Sequence, residues 1–397
     1  MKYDVIGLMS GTSLDGTDLV FCSLQVIREQ WKYKIHRAET IPYPESWKNR
    51  LRQLPNGSAF DFSLTDTEYG HYLGRLIRDF IEKHKIRPDF IASHGHTIFH
   101  DPALRLTSQI GSGAAIAAET GLPVISDFRS LDVALGGQGA PLVPIGDQLL
   151  FGDYDFCLNL GGFSNISFEK NNTRCAFDIC PLNVVLNQLA ELLGHPYDEE
   201  GHFARLGKVD PGFLDALNRL PYYAKFPPKS LGIEWVREQI YPLIHNYFPS
   251  IPLENDQRPH QPLQRETAAA IHDCLATWCE HAAIQISRAT ALIETDSPRN
   301  PSFSGESASQ QPDKPLRDKL LLATGGGSFN QYLMERIAHY LRCKIIIPDH
   351  NTVNYKEALI FALLGTLRWR GEVNALKSVT GASHDATGGA IFNLTTR

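Results

Sequence analysis

The feature that most limits what this chain can fold into is the stretch 5–24, where two short apolar runs enclose a polar, Gly-rich turn. Val5, Ile6 and Leu8 lead into Ser10-Gly11-Thr12-Ser13-Leu14-Asp15-Gly16-Thr17-Asp18, and Leu19, Val20, Phe21 and Cys22 lead out. β-branched and aromatic runs on both sides of a turn predict a β-hairpin. Closing a hairpin needs as little as one Asn-Gly pair. This turn carries many more hydroxyls and carboxylates than closure requires, which points to a ligand. Successive backbone N–H groups in such a turn make a concavity for anions, and an Asp beside them suits the divalent cation that accompanies a nucleotide phosphate. A long turn satisfied by its own side chains would use the same residues.

With 397 residues, 43% apolar and 21% charged, the chain is long enough for two cores, so two lobes are expected. A net charge of −6 gives no basic field for nucleic acid or an anionic membrane, so any phosphate must be gripped locally by loops. Residues 1–7 lack the apolar core of a signal peptide and no run reaches the length of a membrane span, so a cytoplasmic protein is expected. The cysteines at 22, 157, 175, 180, 274, 279 and 343 form no C-x-x-C pair, and reduced core thiols are expected.

Along the chain, 31–41 alternates as a third strand, 65–86 has the period of an amphipathic helix, and 90–92 reads as a short strand. His94, His96 and His100 follow, but Ile98 and Phe99 stand where an H-x-H-x-D-H zinc motif needs Asp and His. The cluster therefore reads as polar donors at a strand end, or as a hydrogen-bonded loop. A small helix is expected at 111–119 and a strand at 123–125. Arg129 then lies between Asp127 and Asp132, where it would contact a ligand carboxylate or phosphate, or form a salt bridge to one of those neighbours.

The opening pattern recurs at 156–179: an apolar strand, the turn Gly161-Gly162-Phe163-Ser164-Asn165, a second strand, and a third at 174–179. Two halves opening alike suggest a duplicated α/β domain whose turns clasp a nucleoside triphosphate from both sides. Asp178 falls near the end of a strand before a helix, a usual place for ligand chemistry in α/β sheets. It would serve as a general base, or as a helix cap or loop acceptor. A helix at 265–293 reads as core, 295–318 as a mobile surface insertion, and Gly325-Gly326-Gly327 between strand and helix permits close approach of a ligand. No stretch fits a Walker loop or G-x-G-x-x-G. A helix from Asn354 to Leu367 and a Gly-rich strand pair at 379–393, crossing back to the first lobe, complete the reading.

Taken together, 7–18, 93–97, Asp127-Phe128-Arg129, 139–144, 159–165, Pro227-Pro228-Lys229-Ser230, Gly325-Gly326-Gly327 and Lys356-Glu357-Ala358 resemble the anhydro-N-acetylmuramic acid kinase family nearly end to end. That resemblance implies a duplicated two-lobe α/β fold of the actin, hexokinase and Hsp70 type (ribonuclease H-like) with a central ATP cleft. It implies lobe I at 1–128, with 375–397 returning to it, and lobe II at 129–374. It also implies ATP and Mg²⁺ as cofactors, an amino sugar as substrate, and a homodimer that recycles peptidoglycan. By position, Gly11, Thr12, Ser13, Leu14, Asp15, Gly16, Thr17 and Asp18 would hold ATP phosphates, with Gly161, Gly162, Gly325, Gly326 and Gly327 lining the rest of the nucleotide site. Asp178 would be the catalytic base and Glu357 would orient the attacking water; His94, Thr97 and Arg129 would face the sugar. Where the family carries Asp-Thr-Gly-Pro-Gly-Asn, this chain has Asp178-Ile179-Cys180-Pro181-Leu182-Asn183. The loss of both glycines leaves open a kinase for another amino sugar or a nucleotide-binding regulator without turnover.

Overall fold

The computed structural model describes residues 1–11, 14–253, 264–294 and 319–393, so Thr12, Ser13 and the insertion 295–318 lie outside the described residues. The opening runs form the expected hairpin. β1 (Lys2–Ser10) and β2 (Gly16–Ile27) pair antiparallel from Lys2↔Gln25 to Ser10↔Thr17. Ser10, Gly16, Thr17 and Asp18 therefore belong to the strands, not to the turn. β3 (Gln30–Pro42) joins β2 through Arg28 and Glu29, whose φ angles of 50° and 67° give the left-handed pair that suits a two-residue hairpin. β4 (Phe90–Asp101) runs parallel to β1, β5 (Leu106–Ile110) folds back on β4, and β6 (Val124–Ser126) is parallel to β4.

The strand expected only at 90–92 thus continues through His94, His96 and Thr97. It does so because Gly95, at φ 71°, lets the backbone turn where an added Cβ would overlap Ile110 O. Against this sheet packs the helix Ala59–His84, which starts well before position 65 because Ser58 and Asp61 form a capping box. It buries Tyr69, Leu73, Ile77 and Phe80 with Ile6, Leu8, Leu19 and Ile91 of the strands. The helix His350–Arg370 crosses β1 at Gly7, where any Cβ would overlap Ala358 O. A bare backbone at that crossing sets the depth at which Lys356 and Glu357 sit.

The second sheet comprises β7 (Phe156–Leu160), β8 (Phe163–Lys170), β9 (Thr173–Pro181), β10 (Leu320–Thr324) and β11 (Lys344–Ile346). Only Gly161 and Gly162 make the first turn; Phe163, Ser164 and Asn165 are already strand. Asn171 and Asn172, with φ of 51° and 58°, join β8 to β9. β12 (Ala390–Phe392) returns antiparallel to β6 as expected, but it is a single strand, since Lys377–Thr380 is a short helix. The sheets are ordered β3-β2-β1-β4-β6 and β9-β8-β7-β10-β11, with β10 parallel to both β7 and β11. The same winding of three consecutive strands and two parallel additions occurs twice, which is the duplicated ribonuclease H-like α/β plan.

Two compact units result. Unit 1 holds Met1–Gly152, Phe168–Cys175 and the described residues from Asp349 on; unit 2 holds Asp153–Ser167 and the described part of Ala176–Pro348. The division differs from the lobes expected at 128/129, because the helices Val143–Leu150 and His350–Arg370 pack on the first sheet. The tip of the β8–β9 hairpin also belongs to unit 1, where buried Arg174 lies 3.8 Å from Asp147 and its carbonyl accepts from Ser378. In unit 2 the helix Arg265–Glu294 forms the core as expected, with Ile271, Leu275, Trp278, Ala282 and Ile286 fully buried. The seven cysteines are free thiols, and all but Cys175 are buried.

Candidate active site

In unit 1 the glycine turn stands on a buried polar stem. Leu14 N bonds to Gly11 O at 3.3 Å with Leu14 at φ 61°, while Asp15 is exposed. Beneath the turn, Thr17 donates to the Tyr43 hydroxyl (2.7 Å), Tyr43 donates to Ser10 Oγ (2.7 Å), and Ser10 reaches His96 Nδ1 (2.9 Å). Tyr69 closes the chain on Tyr43. Burial pushes His96 down to about 4, so its imidazole is neutral, and the Ser10 hydroxyl that accepts from Tyr43 shares a hydrogen bond with Nδ1. Sequence reasoning missed Tyr43 and Tyr69 because their partners are brought together only by the β1–β2–β3 register.

Asp18, at the end of the stem, accepts from Thr40 through Oδ1 at 2.6 Å. Burial raises its pKa, and Oδ2 takes no hydrogen bond among the described residues. Mg²⁺ needs only one or two carboxylates beside water and phosphate oxygens. A half-buried Asp with one spare oxygen beside the glycine turn fits that demand; among the described residues there is no cluster of three or more His, Cys, Asp or Glu that would cage a metal by itself.

Arg129, His94 and Glu357 form the second group of unit 1. Arg129 Nε donates to His94 Nε2 at 2.9 Å and Nη1 to Gly139 O at 2.6 Å. His94 Nδ1 lies 2.9 Å from Gly95 O, so that nitrogen carries the proton, and burial beside the guanidinium keeps the ring neutral. Burial lowers Arg129 to about 10, which leaves it charged near neutrality. Salt bridges to Asp127 or Asp132 do not form among the described residues; the Asp132 carboxylate is taken by Gly139 N and Thr380 Oγ1, each at 2.7 Å. Glu357 is raised by burial and by Asp18, and lowered by Arg129 and Lys356. Its neighbour Lys356 is fully engaged elsewhere, 2.7 Å from Asp147. Thr97 stands apart from this group, with its hydroxyl accepting from Gln109 at 3.3 Å.

Unit 2 gathers the other predicted residues. The carbonyls of Gly161 and Gly162 accept from Asn183 N (3.2 Å), Leu182 N (2.8 Å) and Val184 N (3.2 Å), tying the turn to the start of the helix Asn183–Leu192. Gly325, at φ 84°, lies so close to Leu160 and Asn159 that no Cβ fits, and Gly327 presses on Leu160 likewise. The two glycine turns are therefore neighbours. Asp178 is held three ways: its N–H bonds to Lys229 O (3.2 Å), its carbonyl accepts from the Tyr222 hydroxyl (2.6 Å), and Oδ2 accepts from Leu231 N (2.9 Å). Oδ1 has no partner among the described residues, and burial raises the pKa. That is a carboxylate fixed by one oxygen and available through the other.

Compared with known proteins, the chain matches a family model described as anhydro-N-acetylmuramic acid kinase over residues 3–394. The chain belongs to the anhydro-N-acetylmuramic acid kinase family. Relatives carrying that name include those of Sulfurovum sp. (strain NBC37-1), 32% identical over 98% of this chain and 99% of the relative, and Pasteurella multocida (strain Pm70), 33% identical over 98% and 96%. Among solved structures, an activator of the 2-hydroxyisocaproyl-CoA dehydratase from Clostridium difficile with bound ADPNP aligns at TM-score 0.40 and 13% identity, covering 91% of this chain and 93% of that one. A hexokinase from Schistosoma mansoni complexed with glucose aligns at TM-score 0.36 and 10% identity, covering 91% and 85%.

Within this family member, the unusual residues after Asp178 are packing residues. Ile179, Cys180 and Leu182 are all buried, and Cys180 Sγ sits 3.2 Å from Ser164 Oγ with its thiol pushed up to about 12. A Cβ on Gly327 would meet Leu182 Cδ2 at 3.0 Å, so the substituted side chain fills the space against the glycine turn. These buried side chains form the packing behind Asp178, whose carboxylate has its own backbone donor in Leu231 N.

Proposed function

We propose that this chain is an ATP-dependent kinase that converts 1,6-anhydro-N-acetylmuramic acid and water to N-acetylmuramic acid 6-phosphate, acting in peptidoglycan recycling. Asp178 takes a proton from the water that attacks the anomeric carbon. The C1–O6 bond breaks as that water adds, and the freed O6 takes the γ-phosphoryl group, releasing ADP. Residues 11–18 in unit 1, and Gly161, Gly162 and Gly325–Gly327 in unit 2, supply backbone donors and glycine backbone that a nucleotide can approach closely. Asp18 is the carboxylate suited to Mg²⁺, which when bound supplies charge neutralisation at the phosphates. Arg129 and His94 present the guanidinium and neutral imidazole of a sugar and carboxylate site, Glu357 orients water, and Thr97 adds a hydroxyl. The reading carries with it a cytoplasmic homodimer.

The observation that carries this proposal is the state of Asp178: gripped through Oδ2, open at Oδ1, and raised by burial toward the range useful to a general base. Its test is a coupled assay of ADP release with 1,6-anhydro-N-acetylmuramate, comparing native protein with Asp178→Asn. The expected loss is at least about a hundredfold in kcat, the scale of a missing general base. Equal rates would remove Asp178 from the mechanism.

A further inference from the structure

The loop that clasps Asp178 also presents a cation with nothing to neutralise it. Lys229, partly buried in unit 2, has its ammonium 4.7 Å above the ring of Tyr222 and 5.7 Å from that of Phe177. Its single hydrogen bond, to Tyr222 O, is stretched to 3.5 Å. An ammonium carries three donors. No carboxylate pairs with this one among the described residues, and burial lowers its pKa. The contrast with Lys356, buried against Asp147 at 2.7 Å, shows how the same fold neutralises a lysine whose task is structural.

Three further features make the placement purposeful. The Lys229 carbonyl accepts from Asp178 N and the next residue but one donates to Asp178 Oδ2, so the lysine is registered to the catalytic carboxylate by backbone on both sides. The rings of Tyr222 and Phe177 stabilise a cation without discharging it, which leaves its donors available. Tyr222 is itself braced by Tyr223 and Trp235, at centroid distances of 5.6 and 5.4 Å. A partly buried, aromatic-backed ammonium on the loop whose backbone holds Asp178 is suited to receive an anion.

We propose that Lys229 is an anion-binding residue of the Asp178 site, receiving either the lactyl carboxylate of the sugar or a phosphate oxygen of the nucleotide. The inference rests on the kinase reading above, and both ligands of that reaction supply the required chemistry.

The test compares native protein with Lys229→Met, which keeps length and ring contact, and Lys229→Arg, which keeps charge. Loss of one charge-assisted hydrogen bond predicts about a tenfold or greater rise in one KM for Lys229→Met, with recovery to within about threefold in Lys229→Arg. If the KM for 1,6-anhydro-N-acetylmuramate rises while that for ATP holds, and preference over the lactyl-free 1,6-anhydro-N-acetylglucosamine collapses, the carboxylate is the ligand. If the KM for ATP rises and the sugar preference stays, the phosphate is. Both KM values within twofold of native would overturn the proposal.

A binding readout separates this failure from failure of the kinase reading. Inorganic phosphate and D-lactate are titrated against the indole NMR signal of Trp235 in native and variant proteins, with melting curves to confirm folding. Perturbation in native and Lys229→Arg but not in Lys229→Met supports the anion site even if no sugar yields ADP. Identical responses in all three proteins, or none, refute it.

Discussion

The two units share one winding order but fix their first turns by different means. In unit 1 the turn at 11–15 stands on side chains: Ser10, Thr17, Tyr43, Tyr69 and His96 form a buried hydroxyl chain below it. In unit 2 the turn is reduced to Gly161 and Gly162, and its carbonyls are tied to the helix that follows Asp178. The acidic residues divide in parallel. Unit 2 holds Asp178 with a backbone donor, whereas unit 1 leaves Glu357 to the charge of Arg129. A duplicated framework has thus kept its strand order while its two copies acquired different ways to hold polar groups still.

The largest expected effect tests the two carboxylates against each other. Asp178→Asn should lower kcat by about two to four orders of magnitude and Glu357→Gln by roughly tenfold to a hundredfold, if only the first moves a proton. Burial raises both groups, and a base works only when ionised, so the native rate should fall on acidification at a pH above the ordinary carboxylate range. Glu357→Gln should keep that acid limb. An unchanged limb in a partly active Asp178→Asn protein would reverse the assignment.

Next comes acid stability. His96 in unit 1 sits at about 4 and His281 in unit 2 at about 3, both depressed by burial. A depressed folded value means that stability present above the unfolded value near 6.5 is lost as pH falls toward the folded one. His96 alone accounts for roughly 3 kcal/mol by pH 4. Urea titrations at pH 7 and pH 4.5 should show that loss, and His96→Gln should flatten it; equal slopes in both proteins would exclude His96 as its source.

A smaller effect separates the two ways of holding a turn. Tyr43→Phe strands Ser10 and Thr17 beneath the unit 1 turn and should cost about 1–3 kcal/mol, raising the KM for ATP. A melting temperature and KM both at native values would show the hydroxyl chain to be dispensable. The smallest effect concerns the second turn of each sheet, where β8 and β9 are joined through Asn171 and Asn172 but β2 and β3 strain Arg28 and Glu29 into the left-handed region. Replacing Arg28 and Glu29 by Asn-Gly should stabilise by about 0.5–1 kcal/mol, seen as a small rise in Tm.

The repeated hairpin was legible in the sequence because each strand announces itself through neighbouring residues, and so were the place of Asp178 near a strand end and the Gly161-Gly162 turn between two strands. Where elements begin and end was less so. The capping box at Ser58 moved a helix start, and Gly95 carried β4 through a histidine cluster that reads equally as a strand end or as a loop. Hidden altogether was the grip on Asp178, since Tyr222 and Leu231 lie 44 and 53 positions away along the chain. The Pro-Pro-Lys-Ser stretch 227–230 was legible as part of the family resemblance, and folding alone shows that the Lys229 carbonyl accepts from Asp178 N.

β12 has a consequence for biosynthesis. Because Ala390–Phe392 pairs with β6 in the sheet that also holds Lys2–Ser10, the sheet of the first unit cannot be completed until residues 390–392 have left the ribosome. The second unit, drawn mostly from the middle of the message, has its strands available earlier. Nascent chains truncated before residue 349 should therefore expose the apolar surface that the helix His350–Arg370 covers, which makes the interval before that helix is synthesised the one in which the first unit is most exposed to chaperones and proteases.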